Sequence, residues 1–270
     1  MTPGDALLDE LADLTDEVRS LVEALARSGH REVEKGTGDP AWPSAGSAPA
    51  PRRGSSHPPG PRPAPLASDE DAEGAWSRFG GTGDPAARLE ALRQRVEACT
   101  RCPLASTRRH VVFGEGQPGA ILAVVGEGPG AEEDATGRPF VGEAGQMLDR
   151  MLTRVLEMKR EQVYIANVVK CRPPGNRDPT PAELETCRGY LEEQLAIVRP
   201  RCLLALGRHA SRFLLQSEQG IKTLRGTWGA WHGIPVMPTF HPAYLLRNPA
   251  DKMLTFQDLK VLKARLAGGR

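Results

Sequence analysis

Residues 121–134 read ILAVVGEGPGAEED, and this stretch decides the fold. Ile121–Gly126 is a short apolar run without a charge, the signature of a strand buried on both faces. Glycines at 126, 128 and 130 then permit a tight turn and a close backbone approach to a ligand. Glu132, Glu133 and Asp134 suit the first turn of a helix. The turn is not a dinucleotide fingerprint, because the GxGxxG spacing fails and Pro129 interrupts it. A plain strand-to-helix turn with solvated acids would explain it equally well.

Working outward, three more β-rich runs follow: Val163–Val169 (VYIANVV), Cys202–Leu206 (CLLAL) and Ile234–Phe240 (IPVMPTF). Helical patterns separate them near 144–158, 181–198 and 208–216, and a last helix is expected over 251–266. Upstream, Asp84 and Pro85 suit an N-cap and first helical residue, opening a helix through Leu89, Leu92 and Val96. Strands alternating with helices predict an α/β domain over 84–270, with a parallel sheet covered on both faces. Ligands of such sheets bind beyond the carboxyl ends of the strands, here just after residues 126, 168, 206 and 240.

The first third of the chain reads differently. Leu7, Leu11, Leu14, Val18, Leu21 and Leu25 alternate by four and three, a heptad seam on an amphipathic helix over 1–28. It suits either docking on a neighbour or a coiled coil serving self-association or a protein partner. Between Pro40 and Pro65 lie nine prolines among Ser, Gly and Ala. Residues 29–83 are therefore expected to be a disordered linker that cannot bury enough apolar surface to offset its ordering entropy. Residues 1–83 carry eight Lys/Arg against fourteen Asp/Glu, whereas 84–270 carry twenty-seven against twenty. An acidic head thus precedes a basic body, compatible with a polyanionic partner without establishing one. No apolar run approaches the length of a membrane span, and the N-terminus lacks a basic-then-apolar signal. A cytoplasmic, nucleoid-associated location is expected, with no membrane partner.

Five cysteines in a domain of this size favour metal binding over disulfides. Cys99, Cys102, Cys171 and Cys187 form C-x2-C-x68-C-x15-C, which suits tetrahedral zinc or an iron–sulfur cluster. Cys202, inside an apolar strand, reads as core.

Two further strand ends carry unusual residues. Asn167 is a poor strand residue that needs partners when buried. The segment after it explains itself largely as helix initiation, with Thr180 as N-cap, Pro181 as first residue and Glu183 completing a capping box. His241 ends the fourth run and precedes Leu245, Leu246 and Arg247, an odd set for a connector. His110, His209 and His232 have no such setting and read as structural.

Together, the cysteine spacing, GEGPGAEED (126–134), TGRPFVGEAGQML (136–148), NVVKCRPPGNRDPTP (167–181) and HPAYLLR (241–247) resemble the type-4, iron–sulfur uracil-DNA glycosylases. The likeness runs from about Cys99 to Leu262. It implies a three-layer α/β/α fold with a four-stranded parallel sheet. It also implies a [4Fe–4S] cluster on Cys99, Cys102, Cys171 and Cys187. The implied activity is excision of uracil from single- or double-stranded DNA by hydrolysis of its glycosidic bond, the alternative being an inactive module of the same fold.

On that reading Gly126 and Gly128 let the backbone approach the base, Phe140 stacks on it and Asn167 reads its edge. His241 stabilises the leaving uracil, Glu127 sits near the base, and Glu133, with Glu132 and Asp134 as alternatives, sits near the water. Leu245, Leu246 and Arg247 resemble a wedge loop that fills the hole left by the flipped nucleotide. Relatives of other types place Asp or Asn in the first motif, where this chain has Glu. Residues 131–139 leave no room for the basic, His-ended loop of relatives that trap uracil covalently, so turnover is expected.

Overall fold

A computed structural model of the protein describes residues 82–268. The heptad helix and nearly all of the linker read from the sequence lie outside them. Helix α1 (Pro85–Glu97) starts as expected, with Asp84 accepting from the Ala87 amide at 3.0 Å and Leu89, Leu92 and Val96 buried. Strand β1 (Leu122–Gly126) leads into α2 (Ala131–Thr136) and then α3 (Glu143–Arg150). The expected single helix over 144–158 is instead α3 followed by a π-helical turn, Met151–Leu156, ended by left-handed Glu157.

Strand β2 (Tyr164–Asn167) precedes α4 (Pro181–Val198), whose capping box forms as read: Thr180 Oγ1 accepts from the Glu183 amide and Glu183 Oε2 from the Thr180 amide. Strand β3 (Cys202–Leu206), α5 (Gly207–Leu215), the short α6 (Ile221–Leu224), β4 (Gly229–Trp231), β5 (Ile234–Thr239), α7 (Pro242–Arg247) and α8 (Lys252–Gly268) complete the order.

The sheet runs β2-β1-β3-β5-β4. Alternate residues of each central strand feed opposite cores. Ala123, Val125, Leu203 and Ala205 pack with Leu92, Leu191, Leu195 and Phe213 from α1, α4 and α5. Leu122, Val124, Leu204 and Leu206 pack with Leu148, Leu259 and Leu262 from α3 and α8. Helices therefore cover both faces of a three-layer α/β/α domain. No helix among the described residues is long and apolar enough to cross a membrane.

The sheet has five strands rather than four, and it is mixed rather than parallel. β4 pairs antiparallel with β5, Trp231 opposite Ile234, through a two-residue turn. His232 and Gly233 both hold positive φ, 47° and 84°, as such hairpins require. Three residues are too few to show a period, which hid this edge strand in the sequence.

Candidate active site and family

The parallel register places the functional strand ends side by side. Gly126 at the tip of β1 pairs with Asn167 at the tip of β2, and Leu206 of β3 pairs with Thr239 of β5. Loops leaving these tips enclose a cavity of about 400 Å³ lined by Glu127, Gly128, Glu133, Phe140, Asn167 and His241, among others. The two aromatic rings face each other, Phe140 and His241 centroids lying 5.7 Å apart at 32°. The residues singled out at three strand ends thus share one cavity.

Gly126 is glycine for steric reasons. A Cβ there would stand 2.4 Å from Asn167 Oδ1 and 2.5 Å from Phe140 Cζ. The Asn167 side chain is buried, and its Oδ1 has no hydrogen-bond partner. A buried acceptor left open costs about 1–3 kcal/mol unless a ligand supplies the donor. Such an atom marks a recognition point.

Phe140 holds a left-handed φ of 51°, unfavourable for an aromatic residue. Its turn is clamped from both sides. Arg160 donates to the carbonyls of Pro139 and Phe140, and Glu133 Oε1 accepts from the amides of Val141 (2.9 Å) and Gly142 (3.1 Å). Glu133 Oε2 also accepts from Gly130 N at 3.0 Å. Three main-chain donors fix the Glu133 carboxylate in place on the cavity wall.

His241 caps α7, its Nδ1 accepting from Ala243 N at 3.2 Å. The neutral ring therefore carries its proton on Nε2. Burial, aided by the Arg247 charge and opposed by Glu133, lowers the imidazole to about 4, so the ring is neutral at physiological pH. Gly207, with φ of 83°, lets the end of β3 reach it; a Cβ there would meet His241 Cβ at 2.9 Å.

Of the acids after β1, Glu132 is exposed, and Asp134 is buried elsewhere, accepting from Arg109 N. Glu127 and Glu133 alone of the four line the cavity. Burial pushes the Glu127 carboxyl up, His209 opposes it and Asp178 adds to it.

His209, read from sequence as structural, belongs to this rim. Its Nε2 lies 3.9 Å from Glu127 Oε2 and 3.3 Å from Asp178 Oδ2. Its place three residues beyond β3 was the available signal, since strand tips define the site. Asp178, Arg177 and Tyr244 also line the cavity without having been singled out. His110 is structural as read, its Nδ1 lying 2.9 Å from the Asp134 carbonyl.

The wedge reading needs correction. Leu245 is buried at 1% exposure and packs in the core with Phe240, while Leu246 is exposed and Arg247 lines the cavity. All three sit on helix α7 rather than a loop, so its period turns Leu245 inward and Leu246 outward.

The cysteines form a second, separate feature. Cys99 and Cys102 after α1, Cys171 after β2 and Cys187 on α4 line one small cavity, together with Arg108 and Lys170. All are free, and Arg108 Nη1 donates to Cys171 Sγ at 3.3 Å. Burial pushes the Cys171 thiol up to about 11 against the pull of Arg108. Among the described residues, the group of three ligand atoms within 4.8 Å of one another is Glu127, Asp178 and His209; no three of these sulfurs come so close. Cys202 is buried in β3, as read.

Comparison with known proteins agrees with this geometry. The uracil DNA glycosylase superfamily matches residues 113–262. A type-4 uracil-DNA glycosylase of Thermotoga maritima is 46% identical over 180 residues, covering 65% of this chain and 93% of that protein. One from Sulfurisphaera tokodaii is 40% identical over 183 residues, 65% of this chain and 83% of that protein. A type-5 uracil-DNA glycosylase of Pyrobaculum aerophilum is 32% identical over 211 residues, 64% and 89% of the two. By cavity, fold and sequence, this chain belongs to the uracil-DNA glycosylase superfamily and to its type-4 family.

Proposed function

We propose that the protein excises uracil from DNA, hydrolysing the bond between base and deoxyribose and leaving an abasic site. One observation carries the reading: a buried, unpartnered Asn167 Oδ1 shares a cavity with the Phe140 ring and a neutral His241.

Uracil within a duplex is out of reach, so the nucleotide is extruded at a cost of a few kcal/mol. Stacking on Phe140 recovers about 1–3 kcal/mol of it. Asn167 Oδ1 accepts from uracil N3–H, and its amide donates to O4. Cytosine offers no N3 proton, leaving Oδ1 buried and unpaired, which excludes it.

As the glycosidic bond breaks, negative charge gathers on uracil and positive charge on the sugar. His241 Nε2–H donates to uracil O2 as that charge grows. A neutral imidazole suffices, because the departing anion is stabilised by a hydrogen bond rather than by full protonation. Glu133, held by three amides, supplies fixed negative charge toward the cationic sugar. The same donors occupy its oxygens, which favours giving the water to Glu127, whose carboxyl is raised by burial. Gly126 and Gly128 admit the base to the cavity floor. Leu246 and Arg247 face the DNA, with Arg247 suited to a phosphate.

A [4Fe–4S] cluster is the group the four cysteines fit best. Four sulfurs around one zinc at about 2.3 Å would crowd within roughly 4 Å of one another, whereas no three of these lie within 4.8 Å of each other. Such a cluster would tie α1, the segment after β2 and α4 together as a structural brace. With chromosomal DNA as its substrate, the proposed site of action is the cytoplasm, at the nucleoid.

Incubation with uracil-containing oligonucleotide followed by alkali tests the activity. Strand scission at uracil is expected, and an intact strand would reduce the protein to a binding module. Asn167→Asp should then relax discrimination against cytosine; unchanged selectivity would remove Asn167 from the reading role.

A further inference from the structure

Lys170 has no part in the chemistry above, yet it is among the largest fully buried side chains of the domain, at 1% exposure. It stands between the two functional features. Its Nζ donates to the Asn167 main-chain oxygen at 2.7 Å. The residue lines the cysteine cavity, and its backbone N–H lies near enough to the Cys187 sulfur to favour the thiolate. Residues 167–171 thus pass from the base-reading amide to a cysteine within five residues, and Lys170 holds the first of them while sitting in the cysteine cavity.

A buried ammonium is costly without a counter-charge, and a carbonyl satisfies only one of its three donors. No carboxylate shares its cavity. The groups of its cavity that can carry negative charge are the cysteines, which do so when their thiolates hold an iron–sulfur core.

We propose that Lys170 is a positioning residue, whose ammonium is anchored by the charge of the loaded cysteine cradle and in turn holds the Asn167 backbone in its base-reading position. Through it, the cluster braces the pocket electrostatically as well as by cross-linking helices. The inference rests on the cluster and on the reading role of Asn167 proposed above.

The test uses full-length holoprotein and measures three quantities: iron and sulfide content, the reduction potential of the cluster, and inhibition by free uracil. Lys170→Met should raise the uracil inhibition constant about tenfold, the scale on which outer partners of a metal site act. Loss of a neighbouring positive charge should also move the potential to a more negative value. Lys170→Arg keeps the charge, and should hold iron at close to the wild-type potential even where Lys170→Met does not.

A Lys170→Met protein with full iron and both other values unchanged overturns the proposal, as does a Lys170→Arg protein that cannot hold iron. Wild-type protein lacking iron would overturn it through the cluster reading. Wild-type and Asn167→Ala proteins inhibited equally by uracil would do so through the Asn167 reading. The readouts keep these failures apart.

Discussion

The cavity at the strand tips and the cysteine cradle lie close together, yet they are held in opposite ways. The cavity is braced by the chain's own hydrogen bonds. Glu133 takes three amides, Arg160 takes two carbonyls, and His241 is fixed by the Ala243 amide. Its buried unpartnered atom among the described residues, Asn167 Oδ1, is left for a ligand. The cradle instead gathers four thiols and an ammonium from segments far apart in sequence, with little internal pairing beyond Arg108 and Lys170. A preorganised pocket should lose rate before stability when altered, and a cofactor-dependent cradle should lose stability first.

Cys171→Ser tests the second half of that contrast and should have the largest effect. Losing a ligand should strip the iron and lower stability by several kcal/mol, because the free energy of metal binding is part of the free energy of folding. Iron analysis and urea denaturation would show it, and an iron-free variant of unchanged midpoint would break the contrast. His241→Ala tests the first half. It should cost about 10²–10³ in single-turnover rate, the scale of one lost oxyanion donor, with DNA affinity and melting temperature nearly unchanged. A variant that mainly weakens binding would refute the leaving-group role.

Gly126→Ala should have a smaller effect than either. Its Cβ has to displace the Asn167 amide or the Phe140 ring, so kcat/KM should fall about tenfold or more, a misplacement near 1 Å being enough for such losses. Wild-type kinetics would mean that the strand tips yield more easily than their contacts indicate.

The smallest effect is on pH. His241 titrates near 6.5 when unfolded and near 4 when folded, so the unfolded chain binds more protons between those values. Stability should therefore fall as pH drops from about 6.5 to about 4, and His241→Gln should flatten that slope. Denaturation midpoints for both proteins check it; parallel curves would mean that the buried ring is not the source.

The strand-to-helix alternation, the caps at Asp84 and Thr180, and the strand-end residues Glu127, Asn167 and His241 were legible because each follows from local chemistry, whereas Phe140 came only with the family resemblance. Apolar runs, capping side chains and polar residues at strand ends act over a few positions, and the carboxyl-end rule gathers the last group. The edge strand β4 was not legible, since three residues carry no period and gain their place only by pairing with β5. Nor was the rim around His209 and Asp178, which approach each other from the end of β3 and the segment before α4.

What the sequence alone determined is the order of elements, the residue types at each strand tip and the cysteine set, all properties carried by short stretches of chain. Only the tertiary structure decided that Leu245 turns inward, that Glu133 is spent on holding the Phe140 turn, and that Lys170 lies between amide and cysteines. Those outcomes depend on which atoms of distant segments meet, and a hydrogen bond or a steric contact is set by distances below an ångström that no spacing along the chain encodes.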